Sequence, residues 1–265
     1  MSVAEKQGDR FLWQDFEEPE PSTRLWRYLS LPMLLSFLHR RALWYSQLSS
    51  LPDWAEGTVP AKTFEVAKQE MAASGMKPDS LQHFIESCKQ IPEFNRRCMY
   101  VNCWCEAPFE SEALWRIYGG ADGVALETTA SRLRDQVPND HLLGRVRYLD
   151  ERDGLVRMSY MPNAATWKRK QFFHEREVRI VSIEFPAKSP HAGSPGFYQP
   201  VEPSTLLSRI VISPYTTTWV AVSIKAVIHQ LAPGIVVADS EMRPRPDPSL
   251  PVTSASHLQG APASN

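Results

Sequence analysis

The chain carries almost no net charge, holds few cysteines and has no long apolar run. Lysine and arginine total 29 and aspartate and glutamate 30 in 265 residues, a formal net charge of −1. That balance creates no global field to gather nucleic acid or an anionic membrane, so any such attraction has to come from local clusters. The longest apolar stretches, such as Leu31 to Leu38, fall far short of the roughly 20 residues that a membrane-spanning helix needs. Met1 to Asp9 is polar and has no apolar segment of the secretory type, so a cytoplasmic protein with no membrane partner is expected. In that setting Cys88, Cys98, Cys103 and Cys105 are expected to be reduced, buried thiols. Cys103 and Cys105 would share a strand face, but two further zinc ligands are missing at recognisable spacing, and no metal is expected.

Several catalytic signatures are missing too. The chain has no Gly-x-x-x-x-Gly-Lys-Ser/Thr loop and no Gly-x-Ser-x-Gly elbow. Gly119-Gly120-Ala121-Asp122-Gly123 ends a helix and enters a strand, the wrong order for a dinucleotide-binding turn. His174-Glu175-Arg176-Glu177-Val178 opens like a zinc-protease helix, but Val178 stands where the second ligand is needed.

What the chain does have is a hydrophobic fraction of 43%, ample for a core, and an ordered set of short elements. A polar leader over residues 1–21 is expected to be flexible. Arg24 to Leu29 alternates, with Leu25, Arg27 and Leu29 on one face and Trp26 and Tyr28 on the other. A helix with Pro32 in its first turn and a strand over Ala42 to Ser46 follow. A helical hairpin over about 61–95 reads as an insertion between sheet segments. Strands are expected at Met99 to Trp104, Gly123 to Glu127, Leu142 to Leu149, Arg209 to Ser213 and Ile235 to Ala238. A short helix is expected from Ser111 to Tyr118, a loop from Pro186 to Pro203 and a disordered tail over 241–265. Strands and helices mix without a strict βαβ repeat, so residues 22–240 read as one α+β domain with a central mixed or antiparallel sheet.

The stretch from Phe172 to Val181 organises the rest. It reads as a strand entered from a charged, helical lead-in, Trp167-Lys168-Arg169-Lys170. Period 2 would put Phe173, Glu175, Glu177 and Arg179 on one face, with the two carboxylates roughly 7 Å apart. Such a pair repels unless a cation or a substrate holds it. One reading is a solvated ion-paired face with Arg179 and its basic neighbours, and the other is a cleft. Lys168, Arg169, Lys170, Arg176 and Arg179 would form a basic rim for nucleic acid or, equally, a solvated face.

Five stretches in this order resemble the bacterial family catalogued as domain-of-unknown-function 2971. They are Leu25-Trp26-Arg27-Tyr28; Leu43-Trp44-Tyr45-Ser46 with Pro52-Asp53; Cys103-Trp104-Cys105-Glu106 with Leu114 to Gly119 and Gly123-Val124; Lys168 to Val181; and Ile210 to Pro214. The order of basic strand, helix, aromatic and hydroxyl strand, and late Glu-x-Glu also looks like the ADP-ribosyltransferase fold. That resemblance implies a split sheet with NAD, as substrate, bound in a cleft. It implies that Arg27, Tyr28, Tyr45, Ser46 and Ser49 bind the cofactor, with Tyr45 stacking on nicotinamide. It further implies Glu177 as the catalytic carboxylate and Glu175 as the group that orients or activates the acceptor. The acceptor, a protein or a nucleic acid, is open, and water would make the protein an NAD glycohydrolase. The competing expectation is a non-enzymatic interaction module that binds a partner protein in a phage-defence or toxin–antitoxin system, which relatives of the family accompany.

Overall fold

The computed structural model describes residues 17–156 and 161–243. The expectations for the leader before Glu17 and for the tail after Arg243 concern residues outside that range. In chain order the elements are β1 (Arg24–Leu29), α1 (Leu31–Arg40), β2 (Ala42–Gln47), α2 (Ala61–Ala73), α3 (Pro78–Cys98) and β3 (Met99–Glu106). Then come α4 (Glu112–Leu114), β4 (Val124–Thr129), α5 (Ala130–Asp135), β5 (Leu142–Arg145), β6 (Arg147–Leu149), β7 (Trp167–Arg169) and β8 (Glu177–Ile183). The last are β9 (Gly196–Pro200), α6 (Pro203–Leu206), β10 (Arg209–Ile212), α7 (Thr218–Leu231) and β11 (Val237–Asp239).

The alternation read in β1 holds. Leu25 and Leu29 enter the main core, while Trp26 and Tyr28 join a second cluster on the opposite face. In α1, Leu34, Phe37 and Leu38 are buried, Pro32 sits in the first turn and His39 and Arg40 lie in the last, where cations suit the helix dipole. Arg41 adopts a left-handed φ of 50° that stops the helix and returns the chain into β2.

The main sheet is mixed. Its strands run β11-β10-β4-β1-β3-β2-β9, with β8 on the other edge of β3 and β5 beyond β8. Among the described residues only β10 and β11 pair in parallel within it, and β6 and β7 form a separate parallel pair. No helix among the described residues is long and apolar enough to cross a membrane.

The sheet is forked. Cys105 pairs with Trp26 of β1 on one side and with Glu177 of β8 on the other. Val101 pairs with Ser46 of β2 and with Val181 of β8. Thus β1 and β2 both lie on the edge of β3 that faces away from β8, one at each end, and they part in between. Residues 102–104 have no strand partner on that edge. Asn102, fully buried, closes the crotch: its amide donates to the Trp44 carbonyl at 2.8 Å and accepts from Trp104 Nε1 at 2.7 Å. Asn102→Leu leaves a buried carbonyl and a buried indole N–H unsatisfied, a loss expected to cost about 1–3 kcal/mol. Chemical denaturation would read it, and a change under 0.5 kcal/mol would refute this role for Asn102.

Several sequence expectations need correction. The strand expected over Phe172 to Val181 begins only at Glu177, because Lys170–Glu175 is a 3₁₀ helix and Arg176 takes a left-handed φ of 43°. The lead-in expected to be helical is strand β7. The strand expected over Leu142 to Leu149 is two strands, β5 and β6, in different sheets. The loop expected from Pro186 to Pro203 contains β9, which pairs along β2. Glu17, in the leader expected to be flexible, is tied to Arg145 through a backbone bond of 2.7 Å and a side-chain pair.

Candidate functional site

The two arms of the fork and β8 enclose a cavity of about 330 Å³. Arg27 and Tyr28 reach it from β1, Ser46 from β2, Cys103 and Cys105 from β3, and Glu177 and Arg179 from β8. The register explains the grouping. Cys103 stands opposite Arg179 and Cys105 opposite Glu177, and cross-strand partners share a face.

Glu175 arrives by a different route. It ends the 3₁₀ helix, and the positive φ of Arg176 folds it back beside the first residue of β8. A non-glycine residue in that region is uncommon, and here it lies between the two carboxylates of the cleft. Glu175 accepts from the Tyr118 hydroxyl at 2.7 Å and from the Lys168 ammonium. Lys168 also donates to Glu177 at 3.2 Å and lies 3.5 Å from Glu56. Arg179, fully buried, donates through Nε to Glu177 at 2.6 Å and through both terminal nitrogens to Glu56 at 2.7 and 2.9 Å. Its Nη2 also pairs with Glu177 at 2.5 Å, and its Nη1 donates to the Ala165 carbonyl at 2.9 Å. Glu177 is held from its backbone as well, its N–H donating to the Tyr148 hydroxyl at 2.7 Å.

Three carboxylates thus share two cations, and the protonation states divide accordingly. Burial works to raise the Glu177 carboxyl, but Arg179 and then Lys168 outweigh it and hold the group down at about 2. Burial, and then the charge of Glu177, raise Glu175. Two neighbouring carboxyls pushed apart in this way are the mark of divided acid–base roles. Burial opposes the charge on Lys168, yet Glu177 and Glu56 keep it raised overall. Burial lifts the thiols of Cys103 and Cys105 to about 12, so neither is a ready nucleophile.

The raised Glu175 carboxyl gives a pH prediction. Its favourable contribution is complete below the unfolded value near 4.5 and is lost as pH rises through the folded pKa. Glu175→Gln stays neutral, so its melting temperature should gain on that of wild type between pH 4 and pH 8. A difference that is flat across that range, or that runs the other way, contradicts the assignment.

Arg27 is unlike the other cations. Its Nη1 is enclosed and has no hydrogen-bond partner, and no ion pair of Arg27 occurs among the described residues. Burial lowers its pKa. A guanidinium left free in a cleft is a ready anion site.

Of the residues expected from sequence, Glu177, Glu175, Arg27, Tyr28 and Ser46 come together here. Tyr45 and Ser49 do not. Tyr45 is fully buried in the main core, stacked on Phe197 with centroids 5.1 Å apart and bonded to His141 at 3.3 Å, so its ring is closed to a ligand. Ser49 is exposed, bonds to Gln47 and does not line the cavity. Lys168 and Arg179, expected on a rim or a solvated face, are buried ion partners. Tyr118, at the end of the expected short helix, faces the cavity from a π-helical turn, Trp115–Gly119. Glu56 was missed because it lies in an aperiodic loop. Its only sequence signal was its place beside Pro52-Asp53, and Asp53 holds Arg169 at 2.9 Å at the same mouth.

Comparison with protein-family models, with curated proteins and with solved structures gives no match to this chain.

Proposed function

We propose that the protein cleaves the nicotinamide–ribose bond of NAD and passes the ADP-ribosyl group to an acceptor, in the manner of an ADP-ribosyltransferase. The observation that carries this reading is the meeting, within one cavity, of two carboxylates, Glu175 and Glu177, bridged by Lys168, with an arginine whose enclosed Nη1 has no hydrogen-bond partner among the described residues. The forked sheet, with basic β1, hydroxyl-bearing β2 and acidic β8 around one cleft, supports it.

The chemistry uses each group. Loss of neutral nicotinamide leaves an oxocarbenium-like cation on the ribose, as in glycoside cleavage. Glu177, anionic at every physiological pH, stabilises that charge and accepts from a ribose hydroxyl. Glu175, with its raised pKa, takes the proton of the incoming nucleophile, since a base works best when its pKa approaches the working pH. Arg27 neutralises phosphate. With Tyr45 in the core, the aromatic rings offered to the pyridinium are Tyr28, Tyr118 and Phe172. Lys168, Arg179 and Glu56 touch the carboxylates rather than the substrate, and they position them.

A macromolecular hydroxyl or amine and water are both competent nucleophiles for this arrangement. Incubating the full chain with NAD and following nicotinamide release tests the reading, and the fate of the ADP-ribose separates transfer from hydrolysis. Release is the expected result. No release, together with no NAD-dependent change in melting temperature, would overturn the proposal and favour a binding module.

A further inference from the structure

We infer that a second cavity, between α1 and the strands below it, is a nucleotide subsite for the AMP half of a dinucleotide. Its link to NAD rests on the reading above, but its affinity for AMP does not.

The cavity measures about 270 Å³ and shares Arg27, Leu29 and Met33 with the first. The two therefore meet at the fork, where the guanidinium with the enclosed, unpartnered Nη1 stands between them. The second cavity holds no carboxylate. Phe37, Leu43 and Leu126 give it an apolar base, and Trp44 and Tyr198 give it an aromatic wall. These two rings meet edge to face, with centroids 4.8 Å apart and planes at 61°. Arg40 lies against the Tyr198 ring at 4.5 Å and steadies it. At the rim the Ser36 and Tyr198 hydroxyls bond to each other at 3.1 Å. Each hydroxyl can donate and accept, which suits the mixed edge of a nucleobase.

The wall is built to stay in place. A Cβ on Gly196, two residues along β9 from Tyr198, would lie 2.2 Å from the Trp44 ring, so Trp44 keeps this position only because that residue is glycine. A purely apolar ligand would leave Arg27 without a counter-charge, and free phosphate would leave the aromatic wall unfilled. AMP answers both, with its base on the wall and its phosphate on Arg27. From there the chain of a dinucleotide continues past Met33 to Glu177.

The test is titration of the full chain with AMP, adenosine and inorganic phosphate, followed by calorimetry. AMP is expected to bind at least tenfold more tightly than either fragment. Ser36→Trp, which fills the cavity, and Arg27→Met, which removes the anion site, should each weaken AMP at least tenfold, with fold checked by circular dichroism. Tyr198→Ala removes a part-exposed wall residue and carries the test if Ser36→Trp fails to fold. AMP binding no tighter than phosphate, or variants that bind AMP like wild type, would overturn the inference. Nicotinamide release is measured separately: its absence alongside the expected AMP affinities would overturn the NAD-cleaving reading and leave this subsite standing.

Discussion

Glu177→Gln is expected to lower nicotinamide release from NAD by about 10²- to 10³-fold, the usual loss when one group aimed at transition-state charge is removed. The fold should survive. Glutamine matches glutamate in size, Arg179 keeps both of its bonds to Glu56, and Lys168 keeps Glu175. The loss should fall on kcat rather than KM, because the charge that Glu177 answers exists only once the glycosidic bond is breaking. Glutamine forfeits the stability that the ionised carboxylate contributes above its ordinary pKa, so a lowered melting temperature with an unchanged circular dichroism spectrum is part of the expected result. A variant that releases nicotinamide within threefold of wild type would remove Glu177 from the chemistry.

Arg179→Met is expected to destabilise the fold by about 3–5 kcal/mol, the usual cost of leaving buried charge uncompensated. The arginine is fully buried and binds two carboxylates at once, Glu56 and Glu177. Without it, three buried acids share only Lys168. The sign of the pH dependence should change as well. In wild type the Glu177 carboxyl sits near 2, below its ordinary 4.5, so its contribution is present above the unfolded value and is lost as pH falls toward 2. In the variant its main stabilising cation is gone and burial prevails, which raises the carboxyl. Stability should then fall as pH rises through that value, and the variant should be more stable at pH 5 than at pH 8. Urea denaturation at the two pH values reads both effects. A cost below 1 kcal/mol would show that the carboxylates do not depend on Arg179.

The parts of this architecture that follow simple periods were legible in the sequence. Period 2 placed Arg27 with Leu25 and Leu29, and helical spacing placed α1 in the chain between β1 and β2. The same alternation carried a warning about β2 that the resemblance overrode. Tyr45 and Ser46 are adjacent on a strand and point to opposite faces. Tyr45 follows Leu43 into the core while Ser46 faces the cleft.

The break before Glu177 was not legible. Gly, Asn and Asp usually mark a left-handed residue, and here it is Arg176, within a charged run that imitates a strand. Glu175 reaches the cleft through that break rather than along a shared strand face. Charged residues are mostly exposed, and that expectation misplaced Lys168 and Arg179. Their burial depends on Glu56, which lies more than a hundred positions earlier in a loop without periodic signal.

The unpaired stretch of β3 between the arms of the fork gives this protein an edge that lies inside the sheet. An outer edge is open to any passing strand and has to be guarded by charge or by shortness. This one faces the cleft, where Cys103 and Trp104 line the cavity, rather than open solvent at the rim of the sheet. Its main-chain groups belong to every sequence alike, and a site that leans on them has little need of particular side chains.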